Sequence, residues 1–159
     1  MRQELFSGHI LKLVLLDDKW EIVEHAPGVA VLICRGRQVL GVRQKRRALG
    51  RETWEIPAGL VDAGEQPHEA AAREAAEEVQ LGGRLELVAR FHSSPGFTDE
   101  ELFLYEMHDA RPVEGQPDPG EDLVSEWRDA AEVWQQVLSG QLATSSLTAL
   151  ALKHVLDRP

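Results

Sequence analysis

Carboxylates are crowded into one short stretch of this chain, and the crowding limits what that stretch can be. The segment GLVDAGEQPHEAAAREAAEEVQL runs from Gly59 to Leu81, and its second half predicts a helix from Pro67 to about Val79. Proline suits the first turn of a helix, and we expect Gly82 and Gly83 to end it. Like charges one helical turn apart repel each other, so the acids in this helix require an explanation.

Helix geometry places three of these acids together. At ~100° per residue, Glu74, Glu77 and Glu78 share one helix face. No lysine stands at the partner positions, and the apolar positions of the helix are mostly alanine, which permits close approach to a sheet. Hard cations such as Mg²⁺ are bound by a few carboxylates together with water and substrate phosphate oxygens. The pattern therefore favours a divalent-metal site over the ordinary alternative, a solvated acidic face.

The charge of the whole chain limits the classes of ligand that it can bind. It has 159 residues, the length of one domain, and a formal net charge of −10. That charge argues against general binding to nucleic acid or to an anionic membrane surface, because both require clustered positive charge. A phosphate-bearing small molecule remains compatible, since a divalent metal reverses the local sign.

Cysteine use and apolar runs indicate the compartment. Cys34 is the only cysteine, so no internal disulfide forms, and its apolar neighbours predict an inert core thiol. The first residues lack a signal-peptide pattern, and no apolar run approaches the ~20 residues of a membrane span. We therefore expect a cytoplasmic location.

The remaining elements predict an α+β fold. HILKLVLLDDKWEIVEHA reads as two short strands, and GVAVLICRGRQVLGVRQKR as a second hairpin that turns near Gly36. Residues 29–33 are apolar throughout, as in a strand covered on both faces. Further strands are expected in RLELVARFH and ELFLYEMHDA, and amphipathic helices from Ala130 to Leu138 and from Ser146 to Leu156. These elements predict one mixed sheet with helices on its faces and an N-terminal hairpin extension.

The spacing of the acidic stretch closely resembles the Nudix box. Its fixed positions are filled here by Gly59, Glu65, Arg73, Glu74, Glu77 and Glu78, with Ala75 and Leu81 in its apolar slots. One position departs, because Gln80 stands where the family usually has the glycine that closes the helix in a left-handed conformation. The resemblance implies an α/β/α sandwich with residues 28–159 as the hydrolase domain and residues 1–27 as a β-hairpin for dimerisation.

The same resemblance implies roles for the box residues. Nudix enzymes hydrolyse a nucleoside diphosphate linked to another group, using Mg²⁺ or Mn²⁺ on the box glutamates. The implied metal ligands are Glu74 and Glu78, with Glu77 as a further ligand or supporting catalytic group and the Ala58 carbonyl beside them. Arg73 is expected to hold Glu65 or a box glutamate through a bidentate pair.

The flanks of the box resemble those of ADP-ribose pyrophosphatases. WEIPAGLVDAGE, SSPGFTDE and VRQKR are similar to elements of that subfamily, although Lys45 replaces an aromatic residue. The resemblance implies hydrolysis of ADP-ribose to AMP and ribose 5-phosphate by a homodimer. Trp20 is a candidate to stack on adenine, with sheet packing as its alternative, and Arg46 is a candidate to bind phosphate. Further substrate-binding candidates are Arg51, Pro95, Gly96 and Glu100.

Two other interpretations stay open. The first is a Nudix hydrolase of a sugar nucleotide, a dinucleoside polyphosphate or a damaged nucleotide, which Lys45 leaves room for. The second is a ligand-sensing Nudix domain without turnover. Such domains tend to lose box acids, whereas this sequence keeps all four box glutamates.

The catalytic base is expected in the acidic loop QPDPGEDLVSEW, as in the resembling subfamily. Glu121 is the favoured residue and Glu126 the second, while a base within the box is the remaining option. Replacement of Glu121 by Gln is expected to lower turnover by ~10² or more with substrate binding largely retained, because only proton transfer is removed. Steady-state kinetics measure this, and near-normal turnover contradicts the assignment.

Overall fold

A mixed seven-stranded sheet forms the centre of the molecule in a computed structural model that describes residues 1–115 and 123–159. In chain order the strands of the described part are β1 (Arg2–Ser7), β2 (Leu11–Leu16), β3 (Trp20–His25), β4 (Gly28–Arg35), β5 (Gln38–Arg46), β6 (Arg51–Glu55), β7 (Ala58–Leu60), β8 (Leu81–His92), β9 (Glu101–Pro112) and β10 (Val124–Asp129). The helices are α1 (Pro67–Val79), α2 (Ala130–Leu138) and α3 (Ser146–Leu156).

Strand order explains why the sheet is mixed. The central path runs β10-β5-β4-β9-β8, with β6 paired to β5 and β7 paired to β4. Strands β4 and β9 run parallel, and the other paired strands run antiparallel. The predicted mixed sheet is confirmed.

Helices cover both faces of this sheet, and β4 shows it most clearly. Val29, Val31 and Ile33 pack with the buried alanines of α1 in one core. Ala30 and Leu32 point the other way, into a core that includes α2 and α3. Alternate side chains of a strand face opposite sides, so an apolar run that is buried throughout requires a layer on each side. The α/β/α sandwich is therefore confirmed.

The β4–β5 hairpin opens soon after its turn, and this opening builds the site. The two strands pair only at Cys34–Val39 and Arg35–Gln38. The segment 51–60 fills the gap, because β6 pairs with β5 while β7 pairs with β4. The Val31 amide also donates to the Pro57 carbonyl at 2.8 Å. We call the segment 51–60 the wedge segment. Its last strand, β7, contacts α1 directly, so the wedge segment holds this strand against the acidic helix.

The N-terminal extension is a three-stranded antiparallel sheet in the order β1-β2-β3. The expected hairpin is present as β2 and β3, and β1 is an addition to it. The β1 sequence RQELFS has no apolar alternation from which a strand is predicted, and all six of its residues are exposed. The sheet is fixed to the main body through β3, where the Val23 amide donates to the Phe97 carbonyl at 2.7 Å. Among the described helices, none has the length and apolarity needed to span a membrane.

The acidic helix spans Pro67–Val79 as predicted, but Gln80 caps it, so the expectation that Gly82 and Gly83 end it is wrong. Those glycines belong to β8. Gln80 itself takes the left-handed conformation (φ 51°, ψ 41°), and its amide donates to the Ala76 carbonyl. Its side-chain Nε2 also donates to the Glu77 carbonyl at 2.8 Å. A glutamine thus offsets part of the left-handed strain by satisfying a helix-end carbonyl that a glycine cannot reach.

Substitution of Gln80 separates the effect of the left-handed backbone strain on stability from that of the side-chain hydrogen bond. The Gln80→Ala variant keeps the left-handed strain and loses the side-chain hydrogen bond, so it is expected to be less stable than the parent. The Gln80→Gly variant loses the bond but also the strain, so its free energy of unfolding should exceed that of the alanine variant by about 1 kcal/mol. Urea denaturation measures both. Equal stability of the two variants would show that the left-handed conformation carries no strain here.

Candidate active site

A cleft with two adjoining bays lies between α1, β7 and the loop before β2. Five residues line both bays: Ile10, Arg46, Ala58, Gly59 and Leu60. The first, which we call the acidic bay, has a volume of about 590 Å³ and is completed by Asp62, Arg73, Glu74, Glu77 and Glu78. The second, which we call the side bay, has a volume of about 430 Å³ and extends toward β9 and the start of α3.

Arg73 ties the acidic bay together. Its Nε and Nη2 donate to the two carboxylate oxygens of Glu65, each at 3.0 Å. Its Nη1 donates to Glu74 Oε1 at 2.6 Å and to Glu77 Oε2 at 3.1 Å. Nη2 also donates to the Leu60 carbonyl at 2.9 Å. These five bonds match the five N–H donors of a guanidinium.

This network shifts the pKa values of Glu65 and Arg73. The hydrogen bonds from Arg73, together with one from the Asp62 amide, hold the pKa of the Glu65 carboxyl below its ordinary value. The hydrogen bond to Glu65 is also the largest cause of a raised pKa at Arg73. Glu65 therefore remains ionised and Arg73 remains charged at neutral pH.

Gly59 and Ala58 bring the acidic helix against β7. A Cβ built on Gly59 would overlap the carboxylate of Glu74, so only a glycine permits this approach. The Ala58 amide donates to Glu78 Oε2 at 3.1 Å. Glu74 and Glu78 thus both contact β7, and Ala58 at the start of this strand lines both bays.

Arg46 sits at the junction of the two bays and is oriented by an acid that sequence reasoning missed. Its Nε and Nη2 donate to the two carboxylate oxygens of Glu55, each at 2.8 Å. Thr53 Oγ1 also donates to Glu55 at 2.7 Å. Burial of Glu55, which is 3% exposed, would raise its carboxyl pKa, but the bonds from Arg46 and Thr53 outweigh it and lower the pKa. The antiparallel pairing of β5 with β6 puts both side chains on one face of the sheet, but its register sets Glu55 opposite Val42, so the sequence offers no simple signal for this pair.

The other predicted residues lie in several places. Glu100 lines the side bay, with Oε1 3.3 Å from His25 Nδ1. Glu126 lies on β10 with its carboxylate 3.5 Å from Arg43 Nε, outside the lining of both bays. Trp20 is 54% exposed at the start of β3. Exposed residues that line neither bay are Arg51, Pro95 and Gly96. Glu121 lies outside the described residues.

Comparison with known proteins identifies the family of this chain. A sequence profile described as the NUDIX domain matches residues 24–147. The chain belongs to the NUDIX domain family.

Two curated relatives and one solved structure agree with this assignment. The chain is 37% identical over 131 residues to "ADP-ribose pyrophosphatase" of Mycobacterium tuberculosis, an alignment that covers 79% of this chain and 63% of that protein. It is 33% identical over 131 residues to "ADP-ribose pyrophosphatase" of Bacillus subtilis, covering 76% and 71% of the two chains. It thus spans less than two thirds of the Mycobacterium protein. A crystal structure of "ADP compounds hydrolase" superimposes with a TM-score of 0.78 at 18% identity, covering 99% and 90% of the chains, which shows the shared fold.

Nudix hydrolases generally need a divalent metal, and the donor set of the acidic bay fits one. Its side-chain donors are carboxylate oxygens, the ligands that hard cations prefer. Within residues 1–115 and 123–159, no three His, Cys, Asp or Glu side chains are already arranged as a metal centre. The Arg73 guanidinium stands between two of the box carboxylates, Glu74 and Glu77, which accounts for their separation. The fit of the bay to a metal rests instead on the close approach of the Glu74 carboxylate to Gly59.

The contact between Gly59 and Glu74 can be tested by measuring metal affinity. A Gly59→Ala variant is expected to lose about 10- to 100-fold in Mn²⁺ affinity, because the added methyl group displaces the Glu74 carboxylate. Gly96→Ala is the matched control, since a Cβ at Gly96 meets nothing within 4 Å. Titration calorimetry with Mn²⁺ measures both variants. Equal affinities would show that the contact between Gly59 and Glu74 does not shape the metal site.

Proposed function

We propose that this chain is a metal-dependent pyrophosphohydrolase of nucleoside diphosphate derivatives, with ADP-ribose as substrate and AMP and ribose 5-phosphate as products. Two relatives above 30% identity bear the name ADP-ribose pyrophosphatase, which supports the substrate. The box glutamates, seated in a cleft wide enough for a small molecule, support the reaction class.

The charge balance of the cleft is the observation that carries this proposal. Its lining carboxylates are Asp62, Glu74, Glu77 and Glu78 in the acidic bay, with Glu55 and Glu100 in the side bay. Only two arginines line the described cleft, Arg46 and Arg73, and both are already paired with carboxylates. A cleft of this sign repels a diphosphate unless a divalent cation reverses its potential, so anionic substrate and metal are expected to bind together.

The metal would be Mg²⁺ or Mn²⁺, held by Glu74, Glu78 and Glu77 with the carbonyl of Ala58. When bound, it supplies charge neutralisation for the diphosphate and a lowered pKa for an attacking water. The protein's own part is positional. Arg73 keeps Glu74 and Glu77 on the helix face that borders the cleft, and Glu65 anchors Arg73 from the other side.

Arg46 is the phosphate-binding group in this proposal. It lines both bays, is 43% exposed, and is held in one orientation by its bidentate pair with Glu55. A guanidinium fixed in this way presents a planar donor surface to a phosphate without losing further side-chain freedom. Proton removal is assigned to Glu121, with Glu126 as the second candidate.

The wider organisation belongs to the same proposal. Residues 28–159 form the hydrolase domain, and residues 1–27 form the element that joins two copies into a homodimer. Exposed apolar side chains on the N-terminal sheet support the second assignment, among them Leu5, Phe6 and Trp20. Reaction in the cytoplasm is proposed from the single cysteine.

A substrate panel tests the proposed activity. ADP-ribose, a sugar nucleotide, a dinucleoside polyphosphate and an oxidised nucleoside triphosphate are incubated with the protein, with and without Mg²⁺. ADP-ribose is expected to give the highest kcat/KM, with AMP and ribose 5-phosphate as products by chromatography and no reaction without metal. The Glu74→Gln and Glu78→Gln variants are expected to lose ~10² or more in kcat, because each removes a metal ligand.

Each alternative has its own result in this panel. Preference for another compound would replace ADP-ribose as the substrate while keeping the reaction class. Full activity of both glutamine variants would remove the box glutamates from catalysis. A Glu86→Gln variant is the matched control for charge, since Glu86 is an exposed glutamate on β8 that lines neither bay.

A further inference from the structure

The side bay is a second binding volume that the chemistry of the box glutamates does not use. It shares Arg46 and the Ala58–Leu60 strand with the acidic bay and then runs between β9 and α3. Its far wall consists of Leu102 on β9 and the first residues of α3 with their cap, Ser145 to Leu147. A ligand that spans both bays therefore has to pass Arg46.

The α3 wall is held rigidly against the active-site strand segment. The Ser145 hydroxyl caps α3 by accepting from the Thr148 amide at 3.2 Å. Thr148 is fully buried, and its Oγ1 accepts from the Ile56 amide at 3.1 Å. Ile56 directly follows Glu55, the acid that orients Arg46. The start of α3 and the phosphate-binding arginine are thus fixed to the same short segment, which sets the distance between them.

The lining of the side bay selects the kind of group that fits. Ile10, Leu102 and Leu147 supply apolar surface, while the polar lining consists of three serine hydroxyls, the His25 ring and the carboxylates of Glu55 and Glu100. Among the described residues that line it, the only arginine is Arg46, at the junction with the acidic bay. Phosphate groups therefore stay at the junction, and an uncharged group enters the bay. Apolar walls suit the faces of a nucleobase, whereas a sugar would press its hydroxyls against hydrocarbon.

We propose that the side bay holds the nucleoside half of the substrate, with the start of α3 as the wall that limits its size. This inference rests on the proposed function, because it takes a nucleoside diphosphate derivative as the ligand. Trp20 of the same protomer does not line the side bay. It lies five residues from His25, a lining residue on the same strand, which is about 16 Å along an extended chain.

Ser146 allows a direct test, because it is exposed at the first position of α3 and lines the side bay. Ser146→Phe and Ser146→Trp place increasing bulk at the bay without disturbing the core. Ser139→Trp is the matched control, since Ser139 is an exposed serine at a helix end that lines neither bay. Titration calorimetry with AMP and with ribose 5-phosphate, in the presence of Mg²⁺, reports the two halves of the substrate separately. Melting temperatures check that each variant is folded.

The expected result is a graded loss of AMP affinity, about tenfold or more for Ser146→Trp, with ribose 5-phosphate affinity unchanged. Ser139→Trp should bind AMP as the parent does. Loss of ribose 5-phosphate affinity instead of AMP affinity overturns the inference, as does unchanged AMP affinity or no AMP binding by the parent. Calorimetry of these products needs no turnover, so this failure is distinct from failure of the proposed function, which would appear as no hydrolysis of ADP-ribose by the parent.

Discussion

The contacts of one guanidinium determine how the active-site elements fit together. Glu74 and Glu77 lie on the helix that carries Arg73, where their mutual repulsion opposes the helix. Arg73 donates to both carboxylates, which offsets part of this repulsion, and reaches across to Glu65 and to the Leu60 carbonyl. It therefore links the helix, the loop before it and β7. A lysine has three donors on a point charge, so it cannot replace a planar group that makes five directed bonds.

The close approach that this network needs comes from small residues. The buried alanines of α1 let the helix lie directly on the sheet, and Gly59 lets Glu74 cross over β7. The opened hairpin matters equally, because β4 and β5 separate after two residue pairs and admit the segment 51–60 between them. Packing and topology thus place the carboxylates at one end of the sheet, where the cleft opens.

Residues that act from one continuous segment could be predicted from the sequence, and residues that act through tertiary pairing could not. Helix spacing alone places Glu74, Glu77 and Glu78 on one face, and the continuous apolar run along β4 predicts a layer on each side. Glu55 was missed because its partner, Arg46, lies on another strand and reaches it only along the shared face of the paired strands, whose register sets Glu55 opposite Val42. The end of α1 was predicted correctly, but the residue that caps it was not, because glycine is the usual left-handed cap and no sequence pattern predicts the side-chain hydrogen bond of Gln80.

The same distinction separates reaction class from substrate choice. The groups that determine the reaction class are concentrated on α1 and the strand before it, so a spacing motif describes them. Beyond the residues that it shares with the acidic bay, the side bay draws its lining from several separate segments, among them β3, β9 and the start of α3. No single segment carries its shape, and these three segments do not line the acidic bay. Chains with the same acidic helix can therefore share one hydrolytic chemistry while their side bays select different groups attached to the diphosphate.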